Sequence, residues 1–159
     1  MPTGKPTSPS APPQPDGTAY GLLPELLGYQ IRQAQIAVFR DFTSSLADTG
    51  LTPTLFGALV LIEANPGLKQ TELARALQLD RSTVVTVIDT LQRRGLVARR
   101  RAAEDRRSNA IVLTAAGARL LGQAKPRVVE HEARLTAGLA ADERQALAGA
   151  LAKVFPERR

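Results

Sequence analysis

The sequence predicts a mainly α-helical protein with one two-stranded β-hairpin, and three observations support this fold class. Apolar residues make up 43% of the 159 residues but aromatic residues only 4%, so Ala and Leu, which pack closely between helices, fill the core. Apolar residues recur at three- and four-residue steps along most of the chain. Two short β-prone pieces, at 96–98 and 111–113, are the exception, and they flank a polar loop rich in arginine.

The N-terminal part of the chain divides into a polar tail and a long helix. Residues 1–18 hold most of the prolines and almost no apolar side chains, so they cannot bury enough surface to offset the entropy of ordering. We expect a disordered tail there and a folded domain over residues 19–159. A helix is predicted from Leu22 to Leu46, because a single apolar stripe runs through it, formed by Leu23, Leu27, Ile31, Ala34, Val38, Phe42 and Leu46.

Three shorter helices follow. The first begins at Thr52-Pro53, since a capping hydroxyl precedes a proline at the first helical position, and it ends at Asn65-Pro66-Gly67. The second covers about residues 70–77. The third covers residues 81–94, and Asp80 is its predicted N-cap.

The C-terminal half begins with the hairpin and continues with two more helices. Gly95 is the expected C-terminal cap before the first β-prone piece. After the hairpin, Thr114 caps a long helix over about residues 115–138, in which Pro126 is expected to produce a kink or a local break. A last helix is predicted over about residues 142–154.

Composition excludes several classes of function. The absence of cysteine removes disulfides, thiolate nucleophiles and cysteine-ligated metal sites. The only histidine, His131, cannot form a multi-histidine metal site, and its spacing predicts an exposed side chain on a polar helix face. The acidic pairs Glu104-Asp105 and Asp142-Glu143 are sequence neighbours, which rarely converge on one substrate. We therefore expect no enzyme, no catalytic residue, no cofactor and no bound metal.

No feature of the sequence points to a membrane. No apolar run reaches the roughly 18 residues that a membrane span needs. Residues 1–18 also lack the apolar segment of a signal peptide, so a cytoplasmic protein is expected.

The helix over residues 81–94 carries two faces of different chemistry. At about 100° per residue, one face is apolar and predicted to be buried, formed by Val84, Val87, Ile88 and Leu91. The opposite face holds Ser82, Thr86, Asp89 and Arg93, with Val85 and Thr90 at its edges. Hydroxyls near the N-terminus can contact base edges in a DNA major groove, a Thr or Val methyl can touch a thymine methyl, and arginine can meet phosphate. The candidate DNA-binding residues of this helix are Arg81, Ser82, Thr83, Val85, Thr86 and Arg93.

The basic hairpin strengthens this interpretation by its position. Net charge is +6, and seven arginines against two acids lie between Arg93 and Arg107. Helices followed by such a hairpin form the winged helix-turn-helix order, in which the loop can reach a narrow, electronegative minor groove. Arg106 and Arg107 are the candidate DNA-binding residues at the tip, with Asp105 as the partner that holds one of them. Asp89, which would otherwise repel DNA, is expected to pair with an arginine or to accept from a cytosine amine.

The helix and the basic tract are also compatible with roles that do not involve a specific DNA sequence. An ordinary amphipathic surface helix shows the same two faces, and a basic tract is often only a solvated face. A winged helix can also serve as a protein-interaction module or bind DNA without sequence preference.

The stretch from Thr71 to Gly117 resembles the MarR family of bacterial transcriptional regulators. The specific segments are ELARAL, STVVTVIDTLQRRGLV, the wing residues Asp105-Arg106-Arg107 and the closing LTAAG at 113–117. The resemblance implies a winged helix-turn-helix lobe with a two-stranded wing over residues 51–114. It also implies dimerisation helices over 19–48 and 115–159. A homodimer that binds double-stranded DNA at a pseudo-palindromic operator is expected, acting mostly as a repressor.

The same resemblance implies a small aromatic anionic effector or an aromatic acyl-CoA thioester. The first long helix offers cations and aromatic surface for it at Tyr29, Arg32, Gln35, Phe39 and Arg40. Alternatively, Arg32 and Arg40 are merely solvent-exposed or form salt bridges across the dimer. The chain departs from the family where Lys69 and Ala140-Ala141 replace capping hydroxyls, which predicts weaker helix starts at those two places, by about 1 kcal/mol each.

Overall fold

The structure is a computed structural model that describes residues 18–101 and 109–154, with the side chains of Arg101 and Asn109 excepted. The predictions of a disordered tail and of DNA contacts by Asp105, Arg106 and Arg107 lie outside the described residues. Within them, no helix is long and apolar enough to cross a membrane.

Helices dominate the described residues, together with one antiparallel hairpin, as the sequence predicts. The elements in chain order are α1 (Leu27–Ser45), α2 (Pro53–Ala64), α3 (Gln70–Ala76), α4 (Arg81–Arg93), β1 (Val97–Arg101), β2 (Asn109–Leu113), α5 (Ala115–Leu135) and α6 (Ala141–Val154). The first predicted helix begins later than expected, because Pro24 lies in a separate 3-10 turn, Leu23–Glu25, and Leu26 is extended. A second 3-10 turn, Ala47–Thr49, connects α1 to α2.

The chain divides by its internal contacts into two units, Met1–Val38 and Phe39–Arg159. In the first unit the rings of Tyr20 and Tyr29 pack with centroids 6.3 Å apart. Four leucines of this unit are exposed to solvent: Leu22, Leu23, Leu26 and Leu27.

The second unit contains the hydrophobic core. Its fully buried side chains come from the α1–α2 connection (Leu46 and Leu51), from α2, α3, α4, the hairpin and α5, and the largest include Leu59, Leu73, Ile88, Leu91, Ile111 and Leu121. The four α4 residues predicted to be buried are all in this core. Close packing of this kind limits how far α4 can move against the core.

The hairpin joins the core through its base. β1 and β2 pair in register, with Val97 opposite Leu113 and Arg99 opposite Ile111. At the end of β2, the Thr114 hydroxyl donates to the Gly95 carbonyl at 2.6 Å and accepts from the Gly117 amide at 3.0 Å.

Gly117 is required by a close approach of two backbones. A Cβ atom at this position would lie 2.0 Å from the Leu96 carbonyl oxygen. This contact accounts physically for the glycine that closes the LTAAG segment.

The two helix starts that were predicted to be weak are partly capped in the structure. Neither Lys69 nor Ala140 offers a capping hydroxyl, but a glutamate three residues later reaches back to each. Glu72 accepts from the Lys69 amide at 2.8 Å, and Glu143 accepts from the Ala140 amide at 2.8 Å. These contacts supply one half of a capping box and offset part of the missing cap.

The prediction that His131 is exposed is wrong. His131 is only 1% exposed, its Nδ1 lies 2.6 Å from an Asp41 carboxylate oxygen, and its ring packs edge-on against Phe42. The reason is its place on the core stripe of α5, three and seven residues after Val128 and Ala124. The same helix continues through Pro126 without a local break and ends at Leu135.

Candidate nucleic-acid interface

The N-terminus of α4 is held by a network of hydrogen bonds to Asp80. One Asp80 oxygen accepts from the Thr83 amide at 2.8 Å and from the Ser82 hydroxyl at 2.5 Å, and the other accepts from the Thr83 hydroxyl at 2.7 Å. These donors hold the pKa of the Asp80 carboxyl well below its usual range. The predicted N-cap is therefore confirmed, and both hydroxyls direct their protons to it.

The turn before this helix is tight. Gln78 has φ of 53°, in the left-handed region, and the Leu79 amide donates to the Ala74 carbonyl at 2.9 Å. This turn brings the start of α3 beside the start of α4, where a depression of about 300 Å³ is lined by Gln70, Thr71, Ala74, Arg81 and Val84.

The outer face of α4 brings together part of the predicted set. Thr86 and Arg93 line an open depression of about 560 Å³ with Asp89 and Gln92. Ser82 and Val85 are also exposed, whereas Thr83 is half-buried, and Arg81 lies at the separate α3–α4 depression. The Thr86 hydroxyl donates to the Ser82 carbonyl at 3.2 Å, and Arg93 donates to the Thr90 hydroxyl at 3.3 Å.

Asp89 pairs with an arginine of the hairpin. The Arg99 guanidinium on β1 donates to the Asp89 carboxylate at 2.8 Å. The prediction that this acid finds an arginine partner is therefore confirmed. The ion pair neutralises the acid on the outer face and fixes the hairpin base to α4.

Three residues that line the two depressions were not predicted: Gln92 on the outer face of α4, and Gln70 and Thr71 at the α3–α4 depression. Gln92 lies within about 20° of Val85 around the helix, so the same periodicity could have identified it. Gln70 and Thr71 come to the surface through the left-handed turn at Gln78, which periodicity does not reveal.

The geometry of α4 and the hairpin defines a class of protein. A helix with a buried apolar face and a polar outer face, entered by a tight turn and followed by an ion-paired basic hairpin, is a winged helix-turn-helix nucleic-acid-binding lobe.

Comparison with known proteins gives the family. The MarR family model matches residues 51–108. A putative transcriptional regulatory protein for the hcr operon of Thauera aromatica is 36% identical over 137 residues, which are 86% of this chain and 82% of that protein. The chain belongs to the MarR family of winged helix-turn-helix transcriptional regulators.

Solved structures agree with this assignment. The transcriptional repressor CouR bound to a 23-mer DNA duplex is similar with a TM-score of 0.80 and 44% identity, over 87% of this chain and 99% of that one. CouR bound to p-coumaroyl-CoA is similar with a TM-score of 0.81 and 41% identity, over 87% of this chain and 98% of that one.

Proposed function

We propose that this protein is a homodimeric repressor that places α4 in the DNA major groove at each half of a pseudo-palindromic operator and releases DNA when an aromatic acyl-CoA binds. The observation that carries the DNA-binding part is the outer face of α4, which is polar and open while its apolar face is fully packed. The complex of CouR, 44% identical to this chain, with a 23-mer DNA duplex supports a DNA-binding function. As a DNA-binding regulator it acts in the cytoplasm and needs no catalytic activity.

The hydrogen bonds and exposure of the α4 residues suggest which part of the DNA each of them contacts. Because the Ser82 and Thr83 hydroxyls donate to Asp80, their oxygens are left to accept, which suits the amino groups of adenine or cytosine. The exposed Val85 methyls suit a thymine methyl. Arg81 and Arg93 supply cations at opposite ends of the helix for phosphates, and Asp105, Arg106 and Arg107 would enter the minor groove.

Homodimerisation is supported by apolar surface that the chain does not cover itself. In the second unit, all of α6 is exposed, including Leu147, Leu151 and Val154 at 49%, 40% and 46%. In the first unit, the leucines between Leu22 and Leu27 are exposed as well. A second copy of the chain is the proposed cover, and its two-fold symmetry would set two α4 helices about one DNA turn apart.

The effector proposal rests on the CouR complex with p-coumaroyl-CoA and on the chemistry of α1. Arg32, Gln35, Phe39 and Arg40 are exposed, and Tyr29 is half-buried against Tyr20. Among the described residues, neither Arg32 nor Arg40 has an ion-pair partner. Such cations suit the phosphates of coenzyme A, and the aromatic rings suit its acyl group.

The DNA-binding proposal is tested by fluorescence anisotropy on the DNA beside the protein's own gene, with and without random-sequence competitor, at two salt concentrations. We expect binding that survives the competitor, because base contacts add to the phosphate contacts. Arg107→Ala should weaken this binding and leave the dimer intact. Binding lost equally to any competitor would indicate a non-specific binder, and no binding to any DNA would favour a protein-interaction module.

The effector proposal is tested by titrating preformed complex with aromatic acids, with their CoA thioesters and with free coenzyme A. We expect release by aromatic thioesters alone, and a weaker response in Arg32→Gln and Arg40→Gln variants. Arg119→Gln, the same charge change on an exposed residue near the start of α5 and outside the candidate set, is the matched control. Equal release by free coenzyme A, or no release by any thioester, would contradict the proposal.

A further inference from the structure

Arginines from two different parts of the chain hold the same short segment, Ser45–Gly50, which leads from the end of α1 towards α2. Arg94, directly after α4, donates to the Thr49 carbonyl at 2.6 Å and to the Gly50 carbonyl at 2.9 Å. The bonded residues are 44 and 45 positions apart in the sequence, so these bonds are tertiary contacts and not local helix caps.

Arg127 of α5 holds the other end of the segment. It makes a bidentate pair with the Asp48 carboxylate, at 2.6 and 3.0 Å, and donates to the Ser45 carbonyl at 2.5 Å. The pair holds the pKa of the Asp48 carboxyl below its usual range and raises the pKa of Arg127. Arg134 adds a bond from the same helix to the Ser45 hydroxyl at 2.7 Å.

The neighbours Arg93 and Arg94 therefore have different surroundings. Arg93 lines the depression on the outer face of α4, where it is open to a ligand. Arg94 directs two guanidinium nitrogens at carbonyl oxygens of the connecting segment. A guanidinium used in this way fixes an orientation, since its planar fork matches two acceptors at once.

We propose that Arg94 is a positioning residue that sets the angle of α4 on the Ser45–Gly50 segment, and that Arg127 fixes this segment from α5. This inference rests on the proposed binding of DNA through α4. A small rotation of α4 moves base contacts at its far end by more than a hydrogen bond tolerates. Affinity for a specific sequence then depends on Arg94, although Arg94 does not contact DNA.

The experiment measures operator affinity against salt concentration for the full-length wild type, Arg94→Gln and the matched neighbour Arg93→Gln. Each lost phosphate contact lowers the slope of log affinity against log salt by about one per protomer. We expect Arg93→Gln to lower the slope. We expect Arg94→Gln to weaken operator binding by about tenfold, the size of one lost base contact, with an unchanged slope and unchanged affinity for random DNA. A lowered slope in Arg94→Gln would overturn the inference.

Arg94→Lys separates positioning from charge. Lysine keeps the positive charge but cannot bond two carbonyls with a planar fork. We expect it to restore only part of the operator affinity, whereas full recovery would show that charge alone is needed. Thermal unfolding and sedimentation identify any variant that has lost its fold or its dimer.

The shared segment is tested by a double-mutant cycle with Arg127→Gln. If both arginines act through Ser45–Gly50, the double variant should bind the operator about as weakly as the worse single variant. Additive losses would contradict the role of Arg127. Wild-type protein without any sequence preference would refute the proposed function itself, which is a result distinct from either outcome for the variants.

Discussion

The helices α4 and α6 are nearly equal in length, and both have apolar residues on one side, but only α4 buries those residues within the chain. α4 packs Val84, Val87, Ile88 and Leu91 into the core. α6 buries none of its residues, and Leu147, Leu151 and Val154 are open to solvent. A winged-helix lobe thus completes its own core within one chain, whereas the apolar face of the C-terminal helix is left open, and a second copy of the chain is its proposed cover.

This difference separates two kinds of stability. The lobe should stay folded at any protein concentration, because its core is intramolecular. The exposed leucines should be protected only in a dimer, whose stability depends on concentration.

The largest effect is expected in the core face of α4. Ile88→Ala removes a fully buried side chain and should lower the free energy of unfolding by about 2–5 kcal/mol, measured by urea denaturation. The loss should be the same at low and high protein concentration if it resides in the lobe. Ile88→Val, which removes one methyl group, is the control and should cost about 0.5–1.5 kcal/mol. A cost near zero for alanine would mean that α4 is not packed as described.

The next effect is expected on α6. The double substitution Leu147→Glu and Leu151→Glu should convert the dimer to a monomer, because it places charges in the proposed interface. Operator affinity should then fall by at least about a hundredfold, since two linked half-site contacts become independent. Analytical ultracentrifugation and anisotropy measure the two quantities. Gln145→Glu is the control on the same helix, and an intact dimer in the double variant would place the interface elsewhere.

A smaller effect is expected where the hairpin meets α4. Asp89→Asn removes the ion pair with Arg99, and because both side chains are partly exposed the stability should change by no more than about 1 kcal/mol. The affinity ratio between operator and random duplex should fall by a few-fold, since the hairpin is no longer tied to the helix. Asp142→Asn on α6 makes the same charge change as a control. An unchanged ratio would show that the pair does not orient the hairpin.

The smallest effect is expected in the dependence of stability on acidic pH. The pKa values of Asp80, Asp48 and Asp41 are all lowered, by hydrogen bonds from Ser82 and Thr83, from Arg127 and from His131 respectively. The folded state therefore favours the ionised carboxylates. This stabilisation is complete above the ordinary carboxyl pKa, near 4, and is lost progressively as pH falls from there through the lowered pKa values of the folded state.

Melting temperature measured between about pH 7 and pH 3 should accordingly decline at the acid end. Asp80→Ser keeps a capping oxygen without a carboxylate, so it should flatten part of this decline. A pH profile identical to that of the wild type would show that Asp80 contributes nothing to it.

Periodicity predicted the fold and most of the candidate interface because α4 has a simple division of faces. It predicted the buried stripe, while residue types predicted the Asp80 cap and an arginine partner for Asp89. The exposure predicted for His131 followed from its spacing relative to polar positions of α5, whereas its spacing from Ala124 and Val128 on the same helix indicates burial.

Contacts between distant elements could not be predicted from local sequence. The bonds from Arg94 to Thr49 and Gly50 depend on how these elements meet, and the residue type alone suggested one more basic surface residue. The approach of Gln70 to α4 likewise depends on a left-handed residue, Gln78, that is not a glycine.

In the proposed complex, the two α4 helices of one dimer read two half-sites on the same side of DNA. The most direct measurement is the affinity for an operator whose half-sites are moved apart by about five base pairs, half a helical turn. The inserted operator turns one half-site to the opposite side of the duplex, so the affinity should fall close to that for random DNA. Affinity unchanged by the insertion would contradict this claim.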